Sequence, residues 1–274
     1  MKRWLLLAAA ALCVCTGRGT AQELELRFLD VGQGDAALIR NQGKTALIDA
    51  GRSSTIVDRL QALGVTSIDL LVASHNHADH IGGAEAVLSS LPVRFYLDNG
   101  YPATTQVQSR VLAMVQSKGI VYLQATARTI TLGDATLRII PPADSADDGD
   151  QNNHSVGIIL ERGHFRALLT GDSQVEEINA WLAAGVIPRV MVLKAPHHGS
   201  RNGVTPGWLT ATHPDLIVIS VGANNSYGHP DLWALRYYQA GGRQVYRTDL
   251  NGEVVITVTP EGQYSVRTGN SGQQ

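Results

Sequence analysis

Residues 71–83 read "LVASHNHADHIGG" and set His75, His77, Asp79 and His80 within six positions, behind an apolar run and ahead of a Gly-Gly pair. Imidazoles and carboxylates at that density suit a borderline divalent cation such as Zn²⁺. In a loop leaving a strand, alternate residues turn to one side, so His75 and His77 face one point while Asp79 and His80 face another. Both cysteines, Cys13 and Cys15, lie close to the N-terminus, which leaves any metal to His, Asp and Glu. Asp172 closes "LLTGD", and a carboxylate at a strand end is well placed to hold two cations about 3.5–4 Å apart. His154, the pair His197-His198 in "APHHGS" and His229 in "YGHP" supply further imidazoles. Spacing does not choose between His197 and His198. His197 is preferred as a ligand because it directly follows the strand and Pro196, leaving His198 for substrate contact.

The elements that must hold these groups follow from periodicity. "LELRFLDV", "DAALIR" and "KTALIDAG" alternate as antiparallel strands, and "SSTIVDRLQALG" has the helical spacing that leads into a buried strand, "SIDLLVAS". A helix is predicted over about residues 81–90, and later segments alternate strands with helices up to "EVVITVT". The acidic, turn-forming stretch 141–154 reads as a long loop, and loops of that length in a compact domain are often functional. Asp49 is expected to orient the 75–80 loop by hydrogen bonds. "DVGQGD" reads either as an anion cradle or as a tight hairpin turn at Gly32 and Gly34. Lys194, Ser200 and Asn225 are weaker candidates for phosphate contact, and His164 and His213 read as surface residues.

Residues 1–21 carry a basic head, an apolar segment and small residues, the pattern of a signal peptide cleaved near Ala21. The apolar segment falls short of the roughly 20 residues of a spanning helix, so no stable membrane insertion is expected after cleavage. The predicted product is exported, periplasmic or extracellular, with residues 22–274 forming one domain. Of the 22 basic residues, Lys2, Arg3 and Arg18 would leave with the leader, so 19 face 24 acids, a formal −5. That balance excludes a protein that grips long nucleic acids through phosphate neutralisation alone. Between Arg189 and Arg247, however, six basic residues face only Asp215 and Asp231, which offers a modest anion-attracting surface.

The HxHxDH arrangement of residues 75–80, preceded by Asp49 and followed by His154, Asp172 and the "HH" of "APHHGS", resembles the metallo-β-lactamase superfamily. "LDVGQGDAALI", "NNHSV", "LLTGD", "PHHGS", "SVGANNSYGHP" and "VYRTDLNGEV" resemble more narrowly the C-terminal hydrolase domain of ComEC-type DNA-uptake proteins, here freestanding. The resemblance implies an α/β fold, an αββα sandwich of two similar β/α halves. It implies two divalent ions, zinc foremost and manganese second: His75, His77 and His154 on one, Asp79, His80 and His197 on the other, and Asp172 bridging. Asp79, His198 and His229 are the candidate catalytic residues, His229 as proton donor to a leaving group.

Two adjacent cations lower the pKa of bound water from 15.7 to about 7 and neutralise substrate charge. The implied activity is that of a phosphodiesterase or nuclease, with a phosphodiester partner such as single-stranded DNA. A β-lactam or lactone hydrolase ranks second, because true β-lactamases of this superfamily generally lack an aspartate at the place of Asp172. A non-catalytic envelope binding module ranks third, since buried His and Asp are costly to keep unpaired.

Overall fold

The computed structural model describes residues 23–102, 104–143 and 149–269; the predicted signal peptide lies outside them. Alternating apolar residues build two sheets. In β1 (Leu24–Phe28), Leu24, Leu26 and Phe28 enter the central core, and in β14 (Val254–Val258), Val254, Ile256 and Val258 do the same. These join β2 (Ala37–Asn41), β3 (Lys44–Ile48), β4 (Ile68–Val72), β5 (Val93–Asp98), β6 (Val121–Gln124) and β15 (Tyr264–Thr268) in an eight-stranded sheet, ordered β15-β14-β1-β2-β3-β4-β5-β6.

The second sheet has seven strands, ordered β13-β12-β11-β10-β9-β8-β7. They are β7 (Arg128–Leu132), β8 (Ala135–Ile140), β9 (Gly157–Arg162), β10 (Phe165–Leu169), β11 (Val192–Lys194), β12 (Leu216–Ile219) and β13 (Gln244–Arg247). Phe165, Ala167 and Leu169 of β10 face the other sheet while Leu168 faces outward, as a period of two requires.

The outward faces are covered by helices. α1 (Thr55–Ala62), α3 (Ala84–Ser90) and α4 (Gln106–Ser117) pack on the first sheet through Leu60, Val87 and Val111. α5 (Val175–Ala183), α6 (Pro206–Thr212) and α7 (Leu232–Gln239) pack on the second through Trp181, Trp208 and Tyr238. The result is the αββα sandwich that the patterning and resemblance imply. No helix among the described residues is long and apolar enough to cross a membrane.

Three local readings need correction. The helix predicted over 81–90 is two pieces, α2 (Ala78–Ile81) and α3, parted at Gly82-Gly83. A Cβ on Gly83 would lie 2.3 Å from the Ala50 carbonyl oxygen, so close packing of the 50–53 turn requires glycine there. No helix is named over 206–212, yet α6 forms there: Thr205 caps it by accepting from the Trp208 N–H and Pro206 opens it. Strand β15 was also missed; it pairs antiparallel with β14 and extends the sheet.

Parallel pairing of β3, β4 and β5, and of β10 through β13, sends the C-terminal ends of both sets toward one seam. There the Val156 N–H donates to the Ser74 carbonyl at 2.8 Å, and the His197 N–H to the Gly171 carbonyl at 3.2 Å. The carboxyl ends of parallel strands are where open α/β sheets place their ligands.

Candidate metal centre

β4 runs out into Ser74-His75-Asn76-His77, and α2 then carries Asp79 and His80. Asp49, at the end of β3, holds this loop as expected. Its two oxygens accept from the Ser74 N–H and Oγ–H at 2.7 Å each, and Oδ2 also accepts from His80 Nδ1 at 2.9 Å. Tying Nδ1 in this way points His80 Nε2 into the site, the usual means of fixing a ligating imidazole. The glycines of "DVGQGD" serve the turn: Gly34 adopts φ +139°, and a Cβ there would come within 2.2 Å of the Asp79 carbonyl oxygen.

From the opposite sheet comes Asp172, buried just past β10, and its Oδ2 is the meeting point of the cluster. His80 Nε2 lies 3.2 Å from it, His198 Nε2 3.4 Å, His197 Nε2 3.8 Å and His75 Nε2 3.9 Å. His198 Nε2 is also 3.4 Å from Asp79 Oδ2, while His75 Nε2 stands 3.0 Å from His77 Nδ1. One compact donor set is therefore Asp79, His80, Asp172 and His198.

This changes the preference between the paired histidines. His197 and His198 both adopt left-handed backbone, with φ of 48° and 52°, and the turn reverses the chain so that His198 points inward. Its Nδ1 donates to the Ser220 carbonyl at 2.9 Å, aiming Nε2 at Asp79 and Asp172. His197 stays at the rim with its side chain 19 % exposed.

His154, like His75 and His77, lies outside the compact donor set. Its ring stacks on Tyr101 with centroids 3.8 Å apart, and its carbonyl accepts from Asn99 Nδ2 at 2.8 Å. Asn152, from the same 3-10 turn (Gln151–His154), is the residue that lines the cleft.

Beneath the donors lies a pair that sequence reasoning missed in this role. Asp35 and Lys194 form a buried ion pair, and Lys194 also donates to the Gly171 carbonyl at 3.0 Å. Asp35 stands 3.3 Å from His198 Nδ1 and 3.8 Å from His80 Nδ1, so its charge lies beside both rings. With only 2 % of its surface exposed, Lys194 is not a phosphate contact. Asn225 braces the 222–229 loop through the Gly222 and His229 carbonyls, and the Ser200 Oγ accepts from the Asn202 N–H. The signal was a charged residue ending each of two apolar strands, but no local pattern says that the two meet.

Burial raises the Asp172 carboxyl, yet the His198 and His80 rings outweigh it and hold the group well below the usual carboxylate range. The reciprocal effect prevails over burial in the rings. Asp172 and Asp49 push His80 up to about 10, and Asp172 with Asp35 holds His198 well above its ordinary value. Burial, reinforced by His80, keeps His75 well below 6.5, and burial also lowers His197 and His229. Four carboxylates, Asp35, Asp49, Asp79 and Asp172, thus face one ammonium, and protons on His80 and His198 supply two of the three missing positive charges. Divalent cations fit the same need. His80 Nε2, His198 Nε2 and Asp172 Oδ1 are buried without a hydrogen-bond partner, an arrangement that is costly unless a ligand completes it.

The centre opens into a cleft of about 360 Å³, walled by Gln33, Arg52, Asn152, Tyr227 and His229. His229 is half-buried, its ring centroid 5.5 Å from that of His197 and 6.5 Å from that of His198. A larger groove of about 760 Å³ beside β1–β3 is no rival, since its Arg40 and Glu25 are already paired at 2.8 Å.

Sandwich, seam and donor cluster together define a metal-dependent hydrolase of the metallo-β-lactamase kind. Residues 29–217 match the metallo-beta-lactamase superfamily, and the chain belongs to it. It is 27 % identical over 259 residues to ComE operon protein 3 of Bacillus subtilis, covering 85 % of this chain and 33 % of that protein. It is 28 % identical over 239 residues to competence protein ComA of Neisseria gonorrhoeae, covering 84 % and 32 %. The chain thus spans about a third of the length of these curated relatives. Among solved structures it shares its fold with Igni18, a metallo hydrolase from Ignicoccus hospitalis, at a TM-score of 0.53 and 17 % identity, over 89 % of this chain and 98 % of that one.

Proposed function

We propose that this chain is an exported binuclear-metal hydrolase that cleaves phosphodiesters, DNA in first place. The observation that carries the reading is the convergence of four imidazole Nε2 atoms on Asp172 Oδ2, with Asp79 alongside. Asp79, His80, Asp172 and His198 would hold one ion; His75 and His77, sharing Asp172, would hold the other. When bound, two such ions activate water and offset phosphate charge.

The remaining work falls to the chain's own residues. Asp49 and Asp35 orient His80 and His198. Arg52, exposed at the cleft mouth, attracts the phosphodiester, and Asn152 offers it an amide. His229, half-buried beside the His197 and His198 rings, would pass a proton to the leaving oxygen. The likeness to competence proteins supports DNA as the substrate, and zinc, then manganese, suits the donors.

Metal analysis of purified protein, followed by assay with an aryl phosphodiester, single- and double-stranded DNA and a chromogenic cephalosporin, tests this. Near two ions per chain and phosphodiester turnover that Asp172→Asn abolishes are expected. Turnover of the cephalosporin alone would overturn the reading, as would undiminished phosphodiesterase in His80→Ala.

A further inference from the structure

Beside the cleft lies a surface feature that hydrolysis itself does not use. The Arg201 guanidinium sits 5.2 Å over the Trp233 ring, and that ring stacks on Tyr237 at 5.4 Å with 11° between planes. Trp233 is 41 % exposed and its neighbour Leu232 71 %, whereas Trp181 and Trp208 are buried. The stack is joined to the catalytic turn. Arg201 directly follows the His197–Ser200 segment, and the Asp231 N–H at the start of α7 donates to the Gly199 carbonyl at 3.0 Å. On the cleft wall Tyr227, 55 % exposed, lies nearly parallel to the His229 ring, at 15° and 5.9 Å.

We propose that this face, from Tyr227 to the Arg201–Trp233–Tyr237 stack, is a platform on which bases of a single-stranded nucleic acid stack while its backbone enters the cleft. Aromatic faces bind any base without sequence readout, and duplex bases, already stacked on one another, do not offer theirs. The charges favour the same occupant. Arg52, Arg201 and Arg236 are exposed and form no ion pair among the described residues. Asp231, the acid of this segment, has its carboxylate engaged by the Trp233 and Ala234 N–H groups. Arg201 is the movable member: as it turns to a phosphate, a base takes its place on the indole.

The inference rests on the hydrolase reading only for the direction of the strand into the cleft, so binding is measured on chelator-treated protein. Oligothymidylate should quench tryptophan fluorescence saturably, because Trp233 is the only exposed tryptophan among the described residues. Trp233→Ala should weaken oligothymidylate binding, read by fluorescence anisotropy, by roughly tenfold, and Trp233→Phe should restore most of it. Turnover of a small aryl phosphodiester by the metal-loaded Trp233→Ala protein should be unchanged. Equal binding by Trp233→Ala and the parent would overturn the platform, as would duplex binding that matches single-strand binding, or a dimer that Trp233→Ala dissolves. Quenching without any phosphodiester turnover would leave the platform standing and refute the hydrolase reading alone.

Discussion

Replacing Lys194 by Met keeps most of the side-chain volume but strips Asp35 of its ammonium partner and leaves the Gly171 carbonyl with only the His197 N–H as donor. Removing one partner of a buried ion pair costs about 3–5 kcal/mol. His198 at 3.3 Å and His80 at 3.8 Å still offset part of the Asp35 charge, so a loss of about 3 kcal/mol is expected. At about 2–4 °C per kcal/mol for a domain of this size, the melting temperature should fall by roughly 6–12 °C. The double variant Asp35→Asn/Lys194→Met buries no net charge and should regain most of that stability. It should not regain full activity, because His80 and His198 lose the Asp35 charge beside their Nδ1 atoms, and lost outer partners of ligating histidines typically cost about 10–100-fold. Urea unfolding gives the first quantity and aryl phosphodiester turnover the second. A single variant that costs under about 1 kcal/mol, or a double variant no more stable than the single, would refute this account of the pair.

Gly34→Ala should displace the Asp79 loop, given the 2.2 Å approach of its Cβ to the Asp79 carbonyl, and should lower both metal content and melting temperature. Glu25 is held below its ordinary 4.5 because Arg27 and Arg40 together outweigh the raising effect of burial. Its contribution is therefore present above that value and is lost as pH falls through the lower folded value. Glu25→Gln should flatten the acid limb of the stability–pH curve, and an unchanged limb would count against the pairing. Saturating divalent metal, at about 100 times its Kd, should add about 2.7 kcal/mol, and a chelator should remove it. Asp172→Asn should show little of that difference in thermal melts.

Much of this architecture was readable from side chains that alternate. Leu24, Leu26 and Phe28, or Phe165, Ala167 and Leu169, announce strands with one face inward, and "HNHADH" and "LLTGD" announce where donors stand. What stayed hidden was decided by packing between distant segments. The direction of His198 depends on the Ser220 carbonyl and on Pro230 pressing against Gly199, neither of which is encoded next to it. The stacking of His154 on Tyr101 is likewise a contact that no local pattern announces. Lys194 looked like a phosphate contact until its partner, Asp35, arrived from the first hairpin. The start of α6, by contrast, is written locally in Thr205-Pro206.

The left-handed backbone at His197 and His198 bears on any attempt to harden this protein. Each such non-glycine residue carries a penalty of order 1–3 kcal/mol, so exchange for glycine relaxes the turn even as it deletes an imidazole. A screen that rewards heat resistance alone would drift toward glycine at these two positions and so erase the imidazole that His198 aims at Asp172.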